Sequence, residues 1–103
     1  MRVSQINGCA FCLDTHAKAL HARGESQERL DALAGWQVSE HFDDSERAAL
    51  RWAEALTNIR HGHTSDDDYT CLLPHFNEEE ISELTMAIAG MNGLNQLAIA
   101  MRQ

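Results

Sequence analysis

Two thiols and an imidazole, Cys9, Cys12 and His16, fall within the short stretch NGCAFCLDTH, and Cys71 is the only other cysteine in the chain. A thiol reacts as its thiolate, so the chemistry open to these residues depends on what lowers a cysteine pKa from about 8.5. On a helix turning about 100° per residue, Cys12 lies about 300° and His16 about 340° from Cys9, which puts all three on one stripe. The i,i+3 and i,i+4 separations are those at which helical side chains meet. Unpaired N–H groups at a helix start favour negative charge, and His16 can accept the Cys12 proton directly or through a water. The neighbours Leu13, Thr15, Ala19 and Leu20 are mostly small or apolar, and their desolvation opposes ionisation, so the histidine contact must win. Lys18 points to the other side of the helix. On this geometry Cys12, one turn from His16, is the expected nucleophile. Cys9, nearer the helix start, is expected to resolve the resulting sulfenic acid or mixed disulfide.

A metal site and an inert core compete with redox chemistry for the same three residues. A zinc-stabilised helical module needs four ligands, usually two from a second element. The remaining candidates Cys71, His61, His63 and His75 lack a C-x2-C or H-x3-H spacing. In an inert core, both cysteines are small buried hydrophobes and His16 is a satisfied polar residue. A redox dithiol accounts for all three residue types with nothing missing, and it calls for no metal or cofactor.

The elements that must position these residues read as helices. No segment alternates apolar and polar residues as a strand does. CAFCLDTHAKALHARG runs from Cys9 to a stop at Gly24, and SQERLDALAG from an N-cap at Ser26 to a terminator at Gly35. Asp43 and Glu46 form a capping box ahead of the stripe Ala49, Leu50, Trp52, Ala53 and Leu56. Thr64 or Ser65 caps a short helix that Pro74 discourages from continuing, and Asp66 to Asp68 face its positive start. Asn77 and Glu80 box the last helix, Phe76 and Ile81 staple it, and Ile81, Leu84, Ile88, Met91 and Leu94 keep helical spacing. Gly90 and Gly93 inside it imply close helix packing or a kink, since each costs about 1 kcal/mol relative to alanine. The expected fold class is all-α, about five helices in one domain over residues 1–103. The eight residues before Cys9 include Val3 and Ile6 but are too few to complete another helix.

Composition bounds the function. A net charge of −8, with Lys18 the only lysine, leaves little material for a phosphate-binding surface, so no nucleic-acid partner is expected. No run approaches the roughly 18 apolar residues of a membrane span, and the first residues lack an export signal, so a cytoplasmic address with no membrane partner is the default. Three cysteines is an odd count for a disulfide-stapled secreted scaffold. No G-x-G-x-x-G, G-K-[ST] or G-x-S-x-G occurs, which leaves nucleotide binding and serine hydrolase chemistry without support.

RVSQINGCAFCLDTH resembles the signature of the carboxymuconolactone decarboxylase and AhpD-like alkylhydroperoxidase superfamily, whose redox branch carries Cys-x-x-Cys-x-x-x-His on a helix. SERAALRWAEALT and NEEEISELTMAIAGMNGLNQLAIAMR look like later helices of the same single-domain proteins. The resemblance implies an AhpD-like helical bundle that assembles as a homo-oligomer, a trimer or hexamer. It also implies an antioxidant oxidoreductase, a thiol peroxidase with peroxiredoxin activity toward hydrogen peroxide and organic hydroperoxides. A separate thiol or dithiol electron donor regenerates such an enzyme. The implied roles fall on Cys12 as the attacking thiol, His16 as the proton relay and Cys9 as the residue that closes the disulfide. The family's relay glutamate, about a dozen residues before the first cysteine, has no place in this chain, and N-terminal helices of the family are expected to be absent. Glu54 substitutes for that glutamate if its helix packs across the site, and otherwise is a solvated helix carboxylate. Phe11 stands where AhpD has a second histidine, so a weaker relay and slow turnover are expected. The decarboxylase branch offers the alternative of a lactone acid losing carbon dioxide, chemistry that needs no Cys pair. Cys71 reads as a buried small hydrophobe, and Met86, Met91 and Met101 as core or subunit contacts.

Overall fold

Local capping chemistry decides where most of the helices begin. Asp43, Ser65 and Asn77 each accept the backbone N–H three residues on, while Glu46, Asp68 and Glu80 reach back to the cap's own N–H. Ser26 caps its helix by accepting from Arg29 N. The computed structural model describes residues 1–103, which form α1 (Arg2–Asn7), α2 (Ala10–Ala22), α3 (Gln27–Ala32), α4 (Asp44–Thr57), α5 (Asp66–Thr70) and α6 (Glu78–Ala100). Stretches of 3-10 helix follow α3 at Leu33–Val38 and α4 at Ile59–His61. There are no strands, so the chain is all-α. No helix is long and apolar enough to cross a membrane.

The main core lies where α1, α4 and α6 meet. Val3, Ala48, Trp52, Ala53, Leu72, Ile81 and Ile88 are buried together, with Leu56, Phe76, Leu84 and Met91 packed partly buried around them. Each large apolar side chain taken out of water there contributes about 1.5–3 kcal/mol. Trp52 also satisfies its indole by donating to Thr85 Oγ1 at 2.9 Å, and Tyr69 meets its ring edge-on at 5.9 Å. Arg29 ties α3 to α4: its guanidinium donates to Glu25 and Glu46 and lies over the Phe42 ring at 4.9 Å.

Three expectations are revised. The residues before Cys9 do form a helix, α1, although Met1 supplies no side-chain cap. Gly8 closes it in the left-handed region at φ 67°, the conformation for which glycine is favoured at a helix end. Gly35 does not stop α3 abruptly; the chain tightens into the 3-10 stretch through Val38, and Gly35 keeps a negative φ of −105°. α6 runs unbroken through Gly90 and Gly93, and outside the helix's own backbone and the adjoining residues nothing in this chain would lie within 4 Å of a Cβ added at either.

Candidate active site

The turn at Gly8 delivers Cys9 to the start of α2. Cys9 N–H donates to Ser4 O at 3.1 Å, and Cys9 itself is the N-cap of α2, its Sγ accepting the Cys12 N–H at 3.3 Å. One turn along, Cys12 meets it, and the two sulfurs are joined in a disulfide across a Cα–Cα separation of 5.2 Å. Behind the bond, Ala98 of α6 packs against both cysteines.

The two sulfurs are not equivalent. Both cysteines are buried, Cys9 at 1% and Cys12 at 7% exposure, but only Cys12 lines a groove of about 200 Å³ between α2 and α6. Phe11, Thr15 and His16 line this groove from α2, and Met91, Leu94 and Leu97 from α6. Its walls are therefore mostly apolar, with His16 as the one titratable side chain. His16 Nε2 lies 3.2 Å from Met91 Sδ rather than on a cysteine. With the pair oxidised, no hydrogen bond joins His16 to either cysteine. Burial, and after it the positive charge of the chain's amino terminus, hold His16 below the usual imidazole value, which favours a neutral ring.

A buried polar network underlies the site. Asn95, 0% exposed, donates to Ser4 Oγ at 3.0 Å and accepts from Asn7 Nδ2 at 3.1 Å. Asn7 also donates to Asn92 Oδ1 at 2.8 Å, and Asn92 donates to Thr57 Oγ1 at 3.2 Å and to Ile88 O at 3.0 Å. These bonds fasten α1 to α6 and so fix the turn that presents Cys9. Sequence reasoning passed over them, although Asn92 and Asn95 stand one turn apart in an otherwise apolar helical run.

Of the four candidate residues, Cys12 and His16 share the groove, Cys9 joins them through its bond to Cys12, and Glu54 stands apart. Glu54 Oε1 accepts from Arg2 Nε at 3.0 Å and from Trp36 Nε1 at 2.8 Å, joining α1, α4 and the 3-10 stretch after α3. It is thus neither free in solvent nor across the site. Cys71 also differs from the expected small hydrophobe: it is partly buried, and Arg51 Nη1 donates to its Sγ at 3.0 Å while Arg51 Nε holds Asp68 at 2.7 Å. Nowhere do three His, Cys, Asp or Glu side chains converge as a metal ion requires.

Comparison with known proteins places this geometry among relatives. The sequence profile of the carboxymuconolactone decarboxylase family matches residues 1–55. The uncharacterized protein YdfG of Bacillus subtilis is 36% identical over 101 residues, covering 98% of this chain and 69% of YdfG. The uncharacterized protein YnjA of Escherichia coli is 35% identical over 94 residues, covering 91% of this chain and 50% of YnjA. Among solved structures, a protein of unknown function from Agrobacterium tumefaciens, provisionally described as the antioxidant defence protein AhpD, superposes with a TM-score of 0.97 at 38% identity. That match covers 99% of this chain and 70% of the solved one.

Proposed function

The chain belongs to the carboxymuconolactone decarboxylase family, and we propose that within it the protein is a thiol-dependent peroxidase of the AhpD type that cycles Cys9 and Cys12 between dithiol and disulfide. One observation carries this: the two cysteines are bonded to each other while Cys12, and not Cys9, opens beside His16 onto a groove.

In the reduced protein, His16 takes the Cys12 proton and the Cys12 thiolate attacks one oxygen of a hydroperoxide ROOH. The S–O bond forms as the O–O bond breaks, and RO⁻ takes a proton from the imidazolium to leave as ROH. Cys12 is now a sulfenic acid. The Cys9 sulfur attacks it, hydroxide leaves and combines with the Cys9 proton as water, and the disulfide closes. An external dithiol supplies the two electrons that reopen it. Its thiolate reaches the groove-facing sulfur of Cys12, and Cys9 departs as a thiolate received by the Cys12 N–H at the start of α2. A stabilised leaving thiolate at Cys9 and a groove-lining Cys12 serve the two halves of the cycle.

The mostly apolar groove suits organic hydroperoxides. Exposed Leu94, Leu97 and Met101 along the end of α6 support assembly as a homo-oligomer, which sedimentation showing a folded monomer at micromolar concentration would contradict.

Stopped-flow peroxide consumption by the reduced protein is the test. Cys12→Ser should lose it entirely, and Cys9→Ser should consume about one equivalent and stall as the sulfenic acid. Equal, unaltered rates in both variants reject the proposal. Activity toward a lactone acid that survives alkylation of every cysteine would point instead to the decarboxylase chemistry in the family's name.

A further inference from the structure

His16 and Met91 stand 75 positions apart, yet the only hydrogen bond the protein offers the His16 ring is the 3.2 Å contact of Nε2 with the Met91 thioether. A thioether sulfur has lone pairs and no proton, so it can only accept. The contact is attractive only if Nε2 carries the hydrogen. A neutral imidazole has one N–H, so Nδ1 must then hold the bare lone pair.

We propose that Met91 is a positioning residue that fixes His16 in its Nε2–H tautomer, making Nδ1 the nitrogen that receives the Cys12 proton. The last step rests on the peroxidase reading above; the tautomer does not.

Met91 is suited to this role by its placement. It is packed against the main core one turn beyond the buried Ile88 on α6, so its backbone and inner side chain are held by the body of the protein. Its outer end reaches the groove that Cys12 and His16 share. The ring is therefore oriented by a residue from the opposite wall rather than by the helix that carries it. Burial keeps His16 below the ordinary imidazole pKa, so the neutral ring, for which a tautomer can be defined, persists at neutral pH. The acceptor is weak, which matters for a base: a carboxylate on Nε2 would raise the ring's proton affinity, whereas a thioether orients it without charge.

The experiment is nitrogen-15 NMR of the full chain labelled at histidine, in the disulfide form, with His16 assigned by the signal missing from His16→Gln. The expected spectrum has Nε2 protonated and Nδ1 unprotonated. In Met91→Leu, similar in size but without the acceptor, both nitrogens should move toward the averaged positions of a ring exchanging between tautomers. Met91→Gln, whose amide oxygen can accept, should restore the wild-type pattern. A protonated Nδ1 in the wild type, or an unchanged spectrum in Met91→Leu, overturns the assignment. In peroxide turnover, kcat should fall about tenfold in Met91→Leu, somewhat less than the full contribution of a proton transfer, with KM within about twofold. Met91→Gln should recover most of it. If the wild-type protein shows the expected tautomer but turns over no peroxide, the peroxidase reading fails and the tautomer assignment stands.

Discussion

Cys9 and Cys12, joined in one disulfide, have different surroundings. Cys9 Sγ is buried and accepts the Cys12 N–H at 3.3 Å, whereas Cys12 lines the groove with His16. The asymmetry arises from position alone, because Cys9 is the N-cap of α2 and Cys12 sits a turn inside it. A helix start welcomes negative charge on the first sulfur, and on the proposed peroxidase cycle the groove would bring a hydroperoxide to the second.

The neutral base at this site carries a pH signature. His16 is held below its ordinary value of 6.5 by burial first and by the amino-terminal charge second. Its neutral form therefore persists as pH falls past 6.5 and is lost only at the lower folded-state pKa. The unfolded chain takes up its proton first, so stability falls as pH drops below 6.5 and levels off beneath the folded value. An NMR titration of His16 in the disulfide form should give a midpoint below 6.5. A midpoint above 6.5 would contradict the neutral-base assignment.

Asn95 should matter for stability more than any catalytic residue. Its amide is fully buried and bridges Ser4 and Asn7, so Asn95→Ala strands the buried Ser4 hydroxyl and removes one of the two acceptors of the Asn7 amide. The expected loss is about 1–3 kcal/mol in urea unfolding under conditions that keep the disulfide closed. A loss below about 0.5 kcal/mol, the scale of an ordinary surface change, would show the network to be incidental.

Glu54 offers the opposite contrast. Its carboxylate anchors Arg2 and Trp36, and Glu54→Gln keeps an acceptor for the indole while losing the charge opposite the guanidinium. Stability should drop by on the order of 1 kcal/mol while peroxide turnover stays within about twofold. Turnover lowered about a hundredfold, the scale of a lost proton transfer, would instead make Glu54 the relay carboxylate.

What was legible in the sequence was local. Asp43 with Glu46 and Asn77 with Glu80 announce helix starts because a cap needs only residues three apart, and both boxes form. The Cys9, Cys12 and His16 stripe was legible for the same reason: one helix carries all of it. α1 escaped because little that is local stabilises it. Its six residues have no side-chain N-cap, and beyond the Gly8 cap and one Arg2–Gln5 hydrogen bond they are held by long-range contacts, Val3 in the core, Ser4 on Asn95 and Arg2 on Glu54. The 3-10 stretch after α3 was hidden by Gly35, which reads as a terminator but is spent inside the turn. The Met91 contact with His16 lies beyond any spacing rule, since it depends on how α6 crosses α2.

Counting free thiols by mass spectrometry, before and after one equivalent of peroxide, bears most directly on the cycling dithiol. The reduced chain has three cysteines, and the count should fall to one, with Cys71 still free and Cys9 joined to Cys12 in the same chain. Three thiols remaining, or oxidation that spares Cys9 and Cys12 and falls on Cys71, would contradict it.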